Sequence, residues 1–205
     1  MFGLVGALVG AAVVGLAWTV LGSGAESSSE GLFDADGADI TAPAEVGGYA
    51  RIADVAVFQG QDGQENLEGA QTRNQRNAKR LSEAYGGAGA VVESYSDDEY
   101  DEAFSVKLFR ATSPFPPFVA YEDAEELGLA RPQSDVEVHG DVACVRHTVQ
   151  VTPAGEEIDP ASVITGSCLR TRSGLTVEIT NVTGDLSHDP EKVASLVDEV
   201  WSSVS

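Results

Sequence analysis

The chain has 205 residues, with 12 Lys and Arg against 33 Asp and Glu, and a net charge of −21 at pH 7. A chain this acidic is unsuited to bind nucleic acid, because neutralising phosphates requires clustered Lys and Arg. Two cysteines exclude a disulfide-dense miniprotein, and 42% apolar residues suffice for one hydrophobic core. The length corresponds to one ordinary domain, at roughly 100–200 residues per domain.

Residues 1–22 form an uncharged apolar run that predicts a transmembrane helix. A helix of this length spans about 30 Å, which is the thickness of the hydrocarbon core of a bilayer. We favour a retained anchor, because a secretory signal peptide normally has a basic first segment and a shorter apolar run. Secretion after cleavage near Ala25 is the alternative, since Ser23-Gly24-Ala25 fits a small-x-small cleavage site.

The anchor contains a GxxxG pair, Gly6 and Gly10, of the kind that lets membrane helices pack closely and dimerise. Gly is also common in membrane helices that do not pair, and we favour this simpler interpretation because the motif is short and frequent. Helix packing through Gly6 and Gly10 remains the alternative.

The segment 23–46 is rich in Ser, Gly, Ala and acidic residues and predicts a flexible acidic tether. An EF-hand calcium loop is the alternative, with Asp34, Asp36 and Glu45 at its first, third and twelfth positions. The sixth position of such a loop requires glycine, and Asp39 stands there instead. The tether is therefore the favoured interpretation.

The globular domain is predicted to span residues 47–205 and to begin with a strand and a helix. Apolar residues within 52–58 suggest the strand. The helix covers 65–85 with a thin apolar stripe, and it ends at Gly86-Gly87, a typical C-cap signal.

The middle of the domain is predicted to contain strands at 88–95 and 103–112, a proline-rich loop at 113–118 and a short acidic helix at 121–129. Apolar residues alternate in the second strand and should share one face of the sheet. They are Phe104, Val106 and Leu108.

The last part is predicted to be a meander with strands at about 136–151, 162–172 and 175–182, followed by a helix at 189–204. Asp189 is a suitable N-cap for this helix, whose broad apolar face must lie on a sheet and includes Trp201. We therefore predict an α+β fold, with helices packed on an antiparallel sheet, preceded by the N-terminal transmembrane helix.

The two cysteines, Cys144 and Cys168, are predicted to form a disulfide. If strands 141–152 and 162–172 form a hairpin, pairing Val149 with Val163 places the cysteines opposite each other. A disulfide favours an oxidising compartment, so the domain should lie outside the cytoplasm.

A metal site is the alternative use of these cysteines, with His139 and His147 as further ligands. Residues 144 and 147 should point to opposite faces of one strand, and the spacing lacks paired ligand motifs. The disulfide is therefore favoured, and no metal or cofactor is predicted.

A basic cluster interrupts the acidic chain in the first predicted helix. Its members share one stretch of eight residues and are candidates to bind an anionic envelope component or a membrane protein. They are Arg73, Arg76, Lys79 and Arg80. The alternative, which we favour, is a solvated face that offsets the acids of the domain itself.

The proline-rich loop presents two aromatic residues, Phe115 and Phe118, as further candidates for partner binding. Proline rigidity lowers the entropic cost of presenting such rings to a partner. The favoured alternative is that both rings cap the sheet.

Three patterns occur together in this chain: an anchor followed by Thr41-Ala42-Pro43-Ala44-Glu45-Val46-Gly47-Gly48-Tyr49, a Val142-Ala143-Cys144…Ser167-Cys168 hairpin, and an Asp189-Pro190-Glu191…Trp201 helix. In this combination the chain resembles exported single-pass, or signal-peptide-bearing, membrane proteins of actinobacteria with a two-cysteine C-terminal domain. The resemblance implies a position outside the cytoplasm and transfers no catalytic residues.

We expect a membrane-tethered extracytoplasmic binding or regulatory domain. The sequence has no G-x-S-x-G, no Gly-rich phosphate loop and no H-E-x-x-H, and so no catalytic residue is predicted. Two other functions remain open: an accessory subunit of a membrane complex, and a hydrolase whose site residues are not adjacent in sequence.

Overall fold

The computed structural model describes residues 40–58 and 61–205. The predicted anchor, with Gly6 and Gly10, and most of the predicted tether lie outside these residues. None of the helices in the described ranges is long and apolar enough to cross a membrane.

The domain is α+β, as predicted, and its described residues form two helices and one sheet of eight antiparallel strands in the order β1-β2-β3-β4-β8-β7-β6-β5. The strands are β1 Glu45–Val46, β2 Tyr49–Arg51, β3 Ala90–Ser96, β4 Ala103–Phe109, β5 Ser134–His139, β6 Val142–Thr148, β7 Val163–Arg172 and β8 Leu175–Thr180. The helices are α1 Gln61–Ala84 and α2 Pro190–Val204.

One face of the sheet carries the main core, and α2 covers it. The predicted alternation in β4 is confirmed, because Phe104, Val106 and Leu108 are all buried in this core. The Asp189 carboxylate caps α2 by accepting a hydrogen bond of 2.8 Å from the backbone N–H of Lys192. Trp201 packs half-buried against the same core.

Helix α1 lies on the opposite face of the sheet, over β3 and β4. Asn74 contacts Ser94 of β3, and the ring of Tyr85, just beyond the helix, packs 4.6 Å from that of Phe109. Among the described side chains of α1, only Leu67 is buried. The contact between α1 and the sheet is therefore narrow, as its thin apolar stripe predicts.

The strand predicted within 52–58 is wrong. Two 3₁₀ turns, Ile52–Asp54 and Ala56–Phe58, occupy this segment, and the strand precedes them as β2. Ile52 and Val55 are both buried, and their spacing of three suits a 3₁₀ turn better than a strand. The folded domain also begins before residue 47, where the sequence analysis placed its start, since β1 is Glu45–Val46.

The helix predicted at 121–129 is also wrong. The Asp123 carboxylate caps the backbone N–H groups of Glu125 and Glu126, but the chain turns away after a single turn. Gly128, with φ of +67°, ends that turn. The Asp123 cap therefore begins one helical turn, but the segment is too short for this turn to continue into a helix.

The single strand predicted at about 136–151 is in fact a hairpin of β5 and β6. The chain reverses at Gly140, whose φ of +61° suits a tight turn. The sheet consequently has one more strand at this edge than the predicted meander.

The predicted disulfide is confirmed. Cys144 and Cys168 are bonded, fully buried and directly opposite across β6 and β7, with their Cα atoms 4.0 Å apart. The predicted pairing of Val149 with Val163 is off by one residue, because Thr148 pairs with Val163. The register shifts on β7 at Gly166, which leaves no partner opposite it and forms a β-bulge.

Deprotonation of Tyr95 is expected to destabilise the domain at alkaline pH. Burial raises the pKa of its phenol from 10.0 to about 12, and its hydroxyl donates a 2.6 Å hydrogen bond to the Pro43 carbonyl. The folded state holds this proton more tightly than the unfolded chain. The contribution of the Tyr95 phenol to the free energy of unfolding is therefore complete below pH 10 and is lost as the pH rises towards 12. At about 1.4 kcal/mol per pH unit, the loss reaches about 3 kcal/mol.

Urea unfolding at pH 8 and pH 11.5 measures this loss, and Tyr95→Phe is the control. The variant lacks the hydroxyl, so it should be less stable at pH 8 by about 1 kcal/mol and should depend less steeply on pH than the parent. An equally steep decline in both proteins would show that another group is responsible.

Candidate functional site

The principal candidate site is a groove of about 1010 Å³ between α1 and the face of the sheet beneath it. It exists because the narrow apolar stripe of α1 leaves the rest of the helix standing clear of β3 and β4. Amide and hydroxyl side chains form a large part of its lining, together with apolar residues such as Ile52, Val92 and Ala103. Among the polar residues are Asn66, Asn74, Asn77, Ser94, Ser105 and Asn181.

A chain of long hydrogen bonds crosses the floor of the groove. The Asn74 amide donates to the Ser94 hydroxyl at 3.2 Å, and the Ser94 and Ser105 hydroxyls are 3.4 Å apart. The Asn181 amide donates to Ser105, also at 3.4 Å. The two contacts at 3.4 Å are longer than the usual upper limit of about 3.0–3.2 Å, so a ligand hydroxyl can replace them at little cost.

Two aromatic rings stand at one end of the groove. Phe58 and Tyr100 meet edge to face, with their ring centroids 4.9 Å apart. Both line the groove, and the Tyr100 ring is partly exposed. They provide an apolar contact surface beside the polar floor, which is the usual composition of a small-molecule site.

Unusual backbone conformations also occur at the groove. Tyr100 has φ of +64° and Asn181 has φ of +54°, a left-handed conformation that is uncommon for residues other than glycine. Both side chains line the groove. Conformations of this kind cost free energy and are frequent at functional sites, which supports the groove as a candidate site.

Charge is balanced among the described residues that line the groove. Arg73 and Lys107 supply positive charge, and Glu65 and Asp101 supply negative charge. Lys107 is held by Glu178 at 3.1 Å, outside the lining. The floor therefore suits a neutral, hydroxyl-rich part of a ligand better than a strongly charged one.

The four candidate basic residues are all exposed on α1. They surround a second, shallower hollow of about 390 Å³, and Lys79 pairs with Glu83 at 3.8 Å. Arg73 and Asn77 line this hollow and the groove alike. The two depressions are therefore contiguous along the helix.

The two candidate aromatic residues of the proline-rich loop are not part of the groove lining. Phe115 is 45% exposed and Phe118 is 89% exposed. The alternative interpretation, in which both rings cap the sheet, is wrong for Phe118. Tyr121, three residues further along the chain, is also 88% exposed.

A titratable cluster lies near the groove and fixes the loop that carries Tyr100. The Tyr49 hydroxyl donates to the Glu102 carboxylate, and the Lys192 ammonium lies 3.4 Å from the same carboxylate. Burial, followed by the bond to Glu102, raises the pKa of Tyr49. The cluster therefore keeps its phenol protonated and joins the β3–β4 loop to α2.

The three histidines make separate contacts. His139 lies 3.3 Å from Glu137, His147 Nδ1 lies 2.9 Å from the Ser134 hydroxyl, and His188 Nδ1 lies 3.1 Å from the Val163 carbonyl. In the described ranges, no three His, Cys, Asp or Glu residues are grouped so as to hold a metal ion. The disulfide engages both cysteine sulfurs that the alternative metal site would need.

The groove residues were missed by the sequence analysis, apart from Arg73. They come from the two 3₁₀ turns, α1, β3, the β3–β4 loop, β4 and the segment after β8, and no short motif joins them. One signal was present: the residues of α1 that face the sheet include Asn where an amphipathic helix would carry apolar side chains.

Comparison with known proteins gave no match to a family model, to a curated protein or to a solved structure.

Proposed function

We propose that the protein is a membrane-tethered extracytoplasmic binding domain whose ligand occupies the groove beneath α1. The groove carries this proposal. It combines replaceable hydrogen bonds on its floor, an aromatic pair at one end and two left-handed residues in its lining.

The proposed location is supported by three observations. The buried disulfide is typical of proteins in oxidising compartments. Residues 1–22 have the length and composition of an anchor, and the chain resembles exported single-pass proteins of actinobacteria. Protease added to intact cells should therefore degrade the domain. Protection until the cells are lysed would contradict an extracytoplasmic position.

Binding in the groove is tested by filling it. Ala70 lines the groove, whereas Ala84 is exposed at the end of α1. The full-length protein is purified from membranes and examined by native mass spectrometry for a retained ligand. We expect the parent and Ala84→Trp to retain the same added mass, and Ala70→Trp to lose it. No added mass in the parent, or equal retention in both variants, would contradict the proposal.

A second candidate function is that of an accessory subunit of a membrane complex. The exposed rings of Phe118 and Tyr121 favour it, because aromatic side chains are enriched in protein interfaces. Crosslinking in membranes should then recover a partner with the parent and lose it with Phe118→Ser. Recovery of monomer alone from the parent would count against this function.

A further inference from the structure

We propose that the groove and the basic stripe of α1, defined as Arg73, Arg76 and Arg80, together bind an acidic polysaccharide. The inference rests on the proposed function and adds the chemical class of the ligand. Its starting point is the continuity of the two depressions, since Arg73 and Asn77 line both. One extended ligand can therefore contact the neutral floor and the basic stripe at once.

The groove matches the chemistry of a sugar. Sugar hydroxyls donate and accept hydrogen bonds, and so do the amide of Asn74 and the hydroxyls of Ser94 and Ser105 that line the floor. Sugar rings also present apolar C–H faces, which can pack on the exposed ring of Tyr100. A simple anion accepts hydrogen bonds from some of these groups, but it has no apolar C–H face to pack on Tyr100.

The basic stripe supplies a contact that a neutral sugar would leave unused. Residues 69–82 contain four basic and no acidic side chains, in a chain with a net charge of −21. No described carboxylate forms an ion pair with Arg73, Arg76 or Arg80. Their guanidinium groups are exposed and available to carboxylate or phosphate groups on the ligand.

The geometry of the stripe suits an extended chain of charges. Arg73, Arg76 and Arg80 are spaced by three and four residues, so they lie on one side of α1. Arg76 and Arg80 are separated by about 6 Å along the helix axis. Successive acidic groups on a flexible polysaccharide can therefore meet successive arginines while a neighbouring sugar enters the groove.

Isothermal titration calorimetry with the full-length protein reconstituted in phosphatidylcholine nanodiscs, free of detergent, tests the proposal with four probes. They are hexagalacturonate, the neutral maltohexaose, the anionic peptide hexaglutamate, and vesicles containing phosphatidylglycerol. We expect hexagalacturonate to bind at least about tenfold more tightly than maltohexaose or hexaglutamate. The phosphatidylglycerol vesicles should not bind to the domain.

Variants separate the two parts of the site. Arg76→Ala combined with Arg80→Ala should weaken hexagalacturonate binding about tenfold and leave maltohexaose unaffected. Arg172→Ala removes an exposed arginine at the end of β7 and should change neither. Ala70→Trp should abolish binding of both oligosaccharides. Circular dichroism confirms that each variant is folded.

Each contrary result has a distinct meaning. If hexaglutamate binds as tightly as hexagalacturonate, the site does not recognise sugar rings and the proposal fails. If maltohexaose binds as tightly as hexagalacturonate, the site does not recognise negative charge and the proposal also fails. Binding to vesicles alone, reduced in the double arginine variant, would assign the stripe to lipid headgroups and overturn the proposal. If no probe binds while a ligand is retained in a groove-dependent manner, this inference fails and the proposed function stands.

Discussion

Reduction of the Cys144–Cys168 disulfide is expected to lower the free energy of unfolding by about 3 kcal/mol. The bond links positions 24 residues apart, and a closed loop of this length removes conformational entropy from the unfolded chain. Since small domains are stable by only about 5–15 kcal/mol, this loss is a large share of the total. Urea unfolding of the oxidised and the reduced protein at the same pH measures it.

The reduced sample must be prepared in denaturant, because both sulfurs are fully buried in the folded domain. Cys144→Ala combined with Cys168→Ala is the control: it should be about as unstable as the reduced parent, and reductant should not destabilise it further. If the oxidised and reduced parents unfold at the same urea concentration, the disulfide does not contribute to stability as expected.

The elements that sequence could predict are those with strong local signals. Helix α2 has an Asp-Pro start and a broad apolar face, and both arise within fifteen residues of chain. The end of α1 is similarly local, since Gly86 and Gly87 both have positive φ and the Gly87 N–H bonds to the Ser82 carbonyl. Such signals act before any distant contact forms.

The elements that sequence could not predict depend on distant contacts. β1 and β2 are too short to show alternation, and they exist because β2 pairs with β3 about 45 residues further along the chain. The bulge at Gly166 is likewise set by packing, because a Cβ there would lie 2.4 Å from the ring of His147 on the neighbouring strand. The pairing of the cysteines was predicted correctly although that of Val149 with Val163 was not, because the bulge lies between the two positions.

The candidate site also has one part with a local sequence signal and one part that depends on distant contacts. Charge clustering identified the basic stripe, which occupies two turns of one helix and therefore needs no tertiary contact to be recognised. The groove joins Asn74 to Ser105 and Asn181, which are up to about a hundred residues apart and individually unremarkable. Its polar floor is a consequence of strand register, since Ser94 pairs with Ser105 and Ser105 pairs with Thr180.

Truncation of Phe104 is expected to cause the largest loss of stability of any substitution considered. This side chain is buried between two tyrosines: its ring centroid lies 5.5 Å from that of Tyr95, nearly parallel, and 5.2 Å from that of Tyr49, edge to face. Phe104→Ala removes both ring contacts and leaves a cavity, so we expect a loss of about 4 kcal/mol in the free energy of unfolding.

Phe118→Ala is the matched control, because it makes the same chemical change at a ring that is 89% exposed. It should alter the free energy of unfolding by less than about 0.5 kcal/mol. Thermal and urea unfolding of the two variants under the same conditions provide the comparison. Equal losses in both variants would mean that the three-ring cluster does not hold β2, β3 and β4 together. A large loss confined to Phe104→Ala would assign the aromatic contribution to stability to this buried cluster, which lies in the core on the face of the sheet covered by α2.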